Sequence, residues 1–257
     1  MGEMMNEITV LVLGSPAERQ RAKLLDGLGP DVTVKIAAKS DGLAAADLAG
    51  ARVLFNWTGG IDDVTYVLKN APRLEWIHAR YAGLDRILFP ELIQSAVPLT
   101  NGTGVFSQSL GEFVMLGALY FSKDAPRMLR AKAERRWDVF DVEEVSAQTM
   151  GIVGHGDIGR AVARRAKAFG MRVLALRRNP APRPGDEHVD RIYGSAELHA
   201  MLPECDYVAV TAPMTPETEG MMGPAEFAKM KPTAIIMNVG RGPGVAAGRE
   251  SPDESSG

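Results

Sequence analysis

Residues 149–178 read TMGIVGHGDIGRAVARRAKAFGMRVLALRR. An apolar run ends in Gly154-His155-Gly156-Asp157-Ile158-Gly159, and a helical pattern follows in which Ile158, Val162, Ala166 and Phe169 share one face. Gly170 ends that pattern, and a second apolar run begins at Met171. A GxGxxG alone is a weak signal, but one that closes a strand and opens a helix has a physical purpose. The first glycine permits the tight turn and the second lets backbone approach a pyrophosphate with no Cβ in the way. The third allows close strand–helix packing, while the helix N-terminus offers N–H groups and partial positive charge to phosphates. The turn therefore predicts a dinucleotide site, with Gly154, Gly156 and Gly159 shaping it and Asp157 and Ile158 offering amides.

The residue that meets the adenosine ribose is expected about 20 positions on, at the end of the next strand. That place falls at Arg177, with Arg178 beside it. An aspartate there would accept from a 2′-hydroxyl and repel a 2′-phosphate, whereas arginine offers charge and a planar fork to the phosphate. The expectation is NADP in preference to NAD.

Outward from this unit, two rhythms of strand and helix cover the chain. Strands are expected at 8–14, 32–37, 51–58, 74–80 and 97–101, with helices near 16–28, 41–49, 61–70 and 85–95. Apolar strands alternating with helices imply a parallel sheet covered on both faces. Ser109 and Glu112 have capping-box spacing for a following helix whose Phe113, Leu116, Gly117 and Tyr120 share a face, until Pro126 breaks it. The second rhythm has strands at 149–154, 171–177, 205–212 and 233–239, and helices near 157–169, 195–202 and 216–230. The expected fold class is α/β, with two doubly wound parallel-sheet domains. Residues 1–102 form a flavodoxin-like domain, 103–147 linker helices, 148–244 an incomplete Rossmann domain, and 245–257 a disordered tail.

Composition narrows the function classes. Of 257 residues, 46% are apolar and 24% charged, as in globular chains, and a net charge of −3 gives no reason to expect a nucleic acid partner. The basic stretch RMLRAKAERRW (127–137) has no interleaved aromatic platform and reads as a solvated helix face. Cys205 is the sole cysteine, so one chain forms no disulfide and no cysteine-based metal site, and no metal is expected. ITVLVLG (8–14) is too short for a membrane span and follows acidic residues; the expectation is a cytoplasmic protein without membrane contact.

Four segments in order resemble the D-isomer-specific 2-hydroxyacid dehydrogenases, including glyoxylate/hydroxypyruvate reductases: EWIHARYAGLDRI (75–87), residues 150–178, VTAPMTPETEGMM (210–222) and MKPTAIIMNVGRGP (230–243). The resemblance implies an oxidoreductase that reduces small 2-oxo acids with NAD(P)H, in a cleft between two domains, as a homodimer or other homo-oligomer. It implies that the amides of Ala82 and Gly83 hold the substrate carboxylate and that Arg241 pairs with that carboxylate and the adjacent carbonyl. Thr211, Pro213, Thr218, Val239 and Gly240 would line the cofactor groove, with Thr211 a departure from the histidine frequent there in the family. Arg241 also has a physical case of its own, because a 2-oxo acid presents carboxylate and carbonyl side by side to a guanidinium.

In the family, the stretch after the NxxRG motif carries a glutamate and then the histidine that protonates the carbonyl oxygen. Neither is found here: His78, His155, His188 and His199 all precede Arg241, and 246–257 read AAGRESPDESSG with no apolar period. The expectation is a chain truncated after the motif, with a catalytically impaired dinucleotide-binding remnant or regulatory partner as the alternative to an active enzyme. Residues 233–239, counted as the fourth strand of the second sheet, would then form an apolar edge through Ile235, Ile236 and Met237, a pairing hazard.

Overall fold

The computed structural model describes residues 8–15, 27–84 and 87–245. The chain divides into two compact units, one ending at Val105 and the other beginning at Phe106.

In the first unit, β1 (Ile8–Leu13), β2 (Val32–Ala37), β3 (Ala51–Asn56), β4 (Trp76–Ala79) and β5 (Leu99–Asn101) pair in parallel in the order β2-β1-β3-β4-β5. This is the flavodoxin-like doubly wound order. Helices α1 (Ala45–Gly50), α2 (Ile61–Asn70) and α3 (Pro90–Gln94) make the crossovers. Leu11, Leu13, Leu54 and Ile77 are fully buried in the sheet, against Val64 and Val67 of α2. The helix expected at 16–28 falls mostly outside the described residues; that expected at 85–95 shortens to α3, because Pro90 fixes its first turn.

In the second unit, α4 (Ser107–Ser122) and α5 (Ala125–Ala133) precede β6 (Thr149–Val153), α6 (Asp157–Ala168), β7 (Arg172–Leu176) and β8 (Arg191–Tyr193). There follow α7 (Leu198–Met201), β9 (Tyr207–Val210), α8 (Pro224–Phe227) and β10 (Ile235–Asn238). The parallel sheet runs β10-β9-β6-β7-β8. Strand β8 was absent from the sequence-based count, and its presence makes 233–239 the fifth strand rather than the fourth. β10 does stand at an edge, paired with β9 alone among the described residues. Its apolar residues are half-buried rather than open: Met237 packs so close to α4 that a Cβ on Gly117 would lie 2.6 Å from its sulfur.

Two local expectations fail for identifiable reasons. α4 begins two residues before Ser109, with no side-chain cap, and Glu112 pairs with Arg165 of α6 at 2.9 Å instead. Gly111 lies against the backbone of Ala161, which brings Gln108 and Glu112 over the arginines of α6. The buried face of α4 is consequently Gly111, Val114, Met115 and Ala118, while Phe113, Leu116 and Tyr120 face solvent. The helix expected over 216–230 reduces to α8, because Pro216, Gly220 and Gly223 interrupt it. Pro126 does separate two helices, and Asp124 caps the second by accepting from the Arg127 amide.

Residues 242–245 are ordered, although 245 was expected to begin a tail. Gly220 donates to the Pro243 carbonyl at 2.8 Å, and Val245 forms a parallel bridge with Met222. The remainder of the expected tail, 246–257, lies outside the described residues.

Candidate dinucleotide site and carboxylate-binding residues

The turn from Gly154 to Gly159 joins β6 to α6 at the carboxyl end of the sheet. Gly154 has φ +104, and a Cβ there would come within 2.6 Å of the Ala212 amide. A Cβ on Gly159 would stand 2.4 Å from the Gly154 carbonyl oxygen, so the third glycine is what lets α6 close onto β6. Gly156 is the opposite case: a Cβ would meet nothing within 4 Å. The space above it is open, and no side chain caps α6. The first-turn N–H groups, including those of Asp157 and Ile158, therefore point out of the helix with no intrahelical acceptor. This is the shape and polarity a pyrophosphate needs.

The neighbouring strand ends complete the rim. The Thr211 amide donates to Val153 O at 2.8 Å and its hydroxyl to Gly154 O at 2.5 Å, fixing the first glycine. The Thr218 hydroxyl donates to the Pro213 carbonyl at 2.6 Å and accepts from the Thr215 amide, so it braces the 213–218 loop from within while Pro213 faces solvent. Val239 and Gly240 both donate to Val210 O, at 3.0 and 3.1 Å. Asn238 locks the following turn: its Oδ1 accepts from the Gly240 amide and its Nδ2 donates to the Arg241 carbonyl. Arg241 is presented at that turn on an exposed, extended backbone.

The two arginines after β7 part company. The Arg177 side chain is only 4% exposed, and its guanidinium forms a two-pronged pair with Asp186 at 2.6 and 2.7 Å. It also donates to the carbonyls of Asn179 and Ala181. Buried and with four of its N–H donors engaged, Arg177 pins the 179–186 loop; its fork is not presented at the strand end, and the expectation that it would be is corrected. Arg178 is 80% exposed, 3.6 Å from Glu217. The Arg177 guanidinium holds the Asp186 carboxyl down at about 2. His155 of the glycine turn has a fully buried side chain, with Nε2 at 3.3 Å from Asp186 Oδ1 but without hydrogen-bond geometry. Burial lowers its pKa against the pull of Asp186. Sequence reasoning missed this Arg177–Asp186–His155 cluster, which is assembled by a loop with no periodic signal.

The other histidines have their own neighbours. His199 Nε2 contacts Glu226 at 2.7 Å, which keeps that carboxyl below its ordinary value. His78 stacks on Phe55 and bonds Thr100 at 2.8 Å. Cys205 is buried, donates to the Met201 carbonyl and is pushed up to about 12 by burial. No group of three or more candidate metal ligands occurs among the described residues. No helix among them is long and apolar enough to cross a membrane.

In the first unit, Ala82 and Gly83 follow β4 at the carboxyl end of that sheet. The Ala82 carbonyl accepts from Asn101 Nδ2 at 2.6 Å and the Tyr81 carbonyl from the Gly102 amide at 3.3 Å, which fixes the peptide planes of the loop.

A family model for the NAD binding domain of D-isomer specific 2-hydroxyacid dehydrogenases matches residues 115–248. The chain belongs to that family. It is 36% identical over 186 residues to a glyoxylate reductase of Thermococcus gammatolerans, an alignment covering 68% of this chain and 54% of the relative. It is 32% identical over 195 residues to glyoxylate/hydroxypyruvate reductase B of Yersinia enterocolitica, covering 72% and 58%. The chain thus spans about half the length of the curated relatives it matches. Among solved structures, an NADPH-dependent glyoxylate/hydroxypyruvate reductase of Sinorhizobium meliloti, in complex with NADP and sulfate, superposes with a TM-score of 0.77 at 27% identity. That match covers 93% of this chain and 74% of the other. The glycine turn lies inside the family match, so the second unit carries the family's NAD binding domain.

Proposed function

We propose that this dehydrogenase reduces small 2-oxo acids of the glyoxylate or hydroxypyruvate type to D-2-hydroxy acids with a nicotinamide dinucleotide. The observation that carries the reading is the Gly154–Gly159 turn, closed at both flanking glycines and open above Gly156. The cofactor supplies hydride to the carbonyl carbon. The chain's own residues bind and orient: the amides of Ala82 and Gly83 take the substrate carboxylate, and Arg241 pairs with carboxylate and carbonyl oxygen, polarising the latter. Asp157 and Ile158 donate amides to the pyrophosphate, within a rim formed by Thr211, Pro213, Val239 and Gly240, with Thr218 as the brace behind Pro213.

NADP remains the preferred cofactor in this reading, now through Arg178, whose exposed guanidinium is available to a 2′-phosphate. The solvent-facing Phe113, Leu116 and Tyr120 of α4 support a homodimer, since contiguous apolar patches on a monomer are rarely large. Buried Cys205 suits the reducing cytoplasm.

A dinucleotide-binding module without chemistry is the second reading, favoured by the structural engagement of His78, His155 and His199. Titration with NADPH followed by addition of glyoxylate or hydroxypyruvate separates the two. Loss of nicotinamide absorbance supports the reductase; saturable binding with constant absorbance supports the module; absence of binding refutes both.

A further inference from the structure

The carboxyl end of the first sheet carries a second cation that the proposed reaction does not use. β3 ends at Asn56, which is buried and closes the next turn on itself: its Nδ2 donates to Gly59 O and its Oδ1 accepts from the Gly59 amide. That turn holds Trp57 against the loop after β4, where the Arg80 amide donates to Asn56 O at 3.1 Å. The Arg80 guanidinium lies between two rings, with its central carbon 4.7 Å from the centroid of Trp57 and 4.7 Å from that of Tyr81. Aromatic faces attract a guanidinium and fix its plane while leaving its edge N–H groups to other acceptors.

Those N–H groups are poorly used. Nη2 reaches the Tyr81 hydroxyl at 3.3 Å, and Nε is buried without an acceptor, as is Trp57 Nε1 beside it. Among the described residues no carboxylate pairs with Arg80, although Arg52 pairs with Glu75 in the same unit at 2.6 Å. The loop is also closely packed underneath, since a Cβ on Gly102 would meet the Arg80 carbonyl oxygen at 2.3 Å. A cation clamped by aromatics, short of acceptors, and two residues before Ala82-Gly83 is a preformed anion site on the ligand-binding end of a parallel sheet.

We infer that Arg80 selects 2-oxo acids with a second anionic group, a carboxylate or phosphate on the chain beyond the carbonyl. Trp57 and Tyr81 are the clamp that positions the guanidinium. This rests on the reading that Ala82 and Gly83 take the 2-oxo acid carboxylate; Arg80 then meets the far end of the same molecule.

The test is equilibrium binding to the full chain, read by tryptophan fluorescence and calorimetry. The probes are glyoxylate, pyruvate, oxaloacetate, 2-oxoglutarate and phosphohydroxypyruvate. The dianions should bind about tenfold tighter than the monoanions, the scale of one added charge-assisted hydrogen bond. The gain should shrink as salt rises from ~50 to ~500 mM. Arg80→Gln should collapse the dianion-to-monoanion ratio towards one, and Arg80→Lys should keep part of it. The larger gain, for carboxylate or for phosphate tails, identifies the preferred group. Monoanion binding with no dianion advantage, or an equal loss for both classes in Arg80→Gln, overturns this inference alone. If no acid binds at all, the assignment of Ala82 and Gly83 falls together with it.

Discussion

Replacing Asp186 with asparagine should destabilise the second unit by an amount that depends on pH. Asp186 is 13% exposed and Arg177 4%, so solvent screens their pair little. Holding the carboxyl at about 2 instead of the ordinary 3.8 corresponds to about 2.5 kcal/mol of folding free energy. Removing one partner of a buried pair costs ~3–5 kcal/mol when the other is stranded; here asparagine and two backbone carbonyls still accept from Arg177, favouring the lower figure. In a chain of this size each kcal/mol moves the midpoint by roughly 2–4 °C, so Asp186→Asn should melt about 5–10 °C lower at pH 7. The sign follows from a depressed carboxylate. Its contribution is fully present above 3.8 and is lost as pH falls through about 2. The gap between parent and variant, read from urea unfolding followed by circular dichroism, should narrow to about half by pH 3. A variant that melts within about 2 °C of the parent at pH 7, or a gap unchanged at pH 3, would refute the assignment of Arg177 to the loop.

Further outcomes follow from the same geometry. Gly159→Val should weaken NADPH binding by on the order of 100-fold in calorimetry, because the new Cβ meets the Gly154 carbonyl and moves the turn; undiminished affinity would contradict the packing role. Arg178→Ala should raise the Kd for NADPH about tenfold and leave NADH within about twofold, whereas equal losses for both would remove Arg178 from the 2′-phosphate site. Arg241→Lys keeps the charge but loses the fork, and kcat/KM for a 2-oxo acid should fall about 100-fold; wild-type turnover in that variant would exclude the pairing. The Glu226 carboxyl is held below its ordinary value by His199, so Glu226→Gln should reduce stability at neutral pH by a margin that disappears on acidification; a pH-independent difference would point to another cause.

Local pattern made much of the fold legible. VTVKIA (32–37) and the helix at 61–70 occupy the ranges their patterns indicate, because short β-branched runs and a well-marked amphipathic face decide structure locally. Strand β8 escaped because RIY is three residues long and carries a charge at its start; only pairing with β7 makes it a strand. Phe113, Leu116 and Tyr120 do share a face, as their helical spacing indicates, but the spacing does not say that this face looks outward; the contact with α6 runs through Gly111, whose missing side chain permits the close approach. In the site, the glycine turn was legible because Gly154 and Gly159 each answer a separate steric demand of the fold, while Gly156 leaves the space above the helix start open. The fate of Arg177 was not, since its partner comes from a proline-rich loop nine residues on and only the fold reveals the pairing.

The central claim is that the turn after β6 seats the paired phosphates of a nicotinamide dinucleotide. Titration of isotopically labelled chain with NADPH, followed at the backbone amides, tests it most directly. The account predicts saturable shifts that are largest at Gly156, Asp157 and Ile158. Saturable binding that leaves those three amides unmoved, or no binding at all, would contradict it.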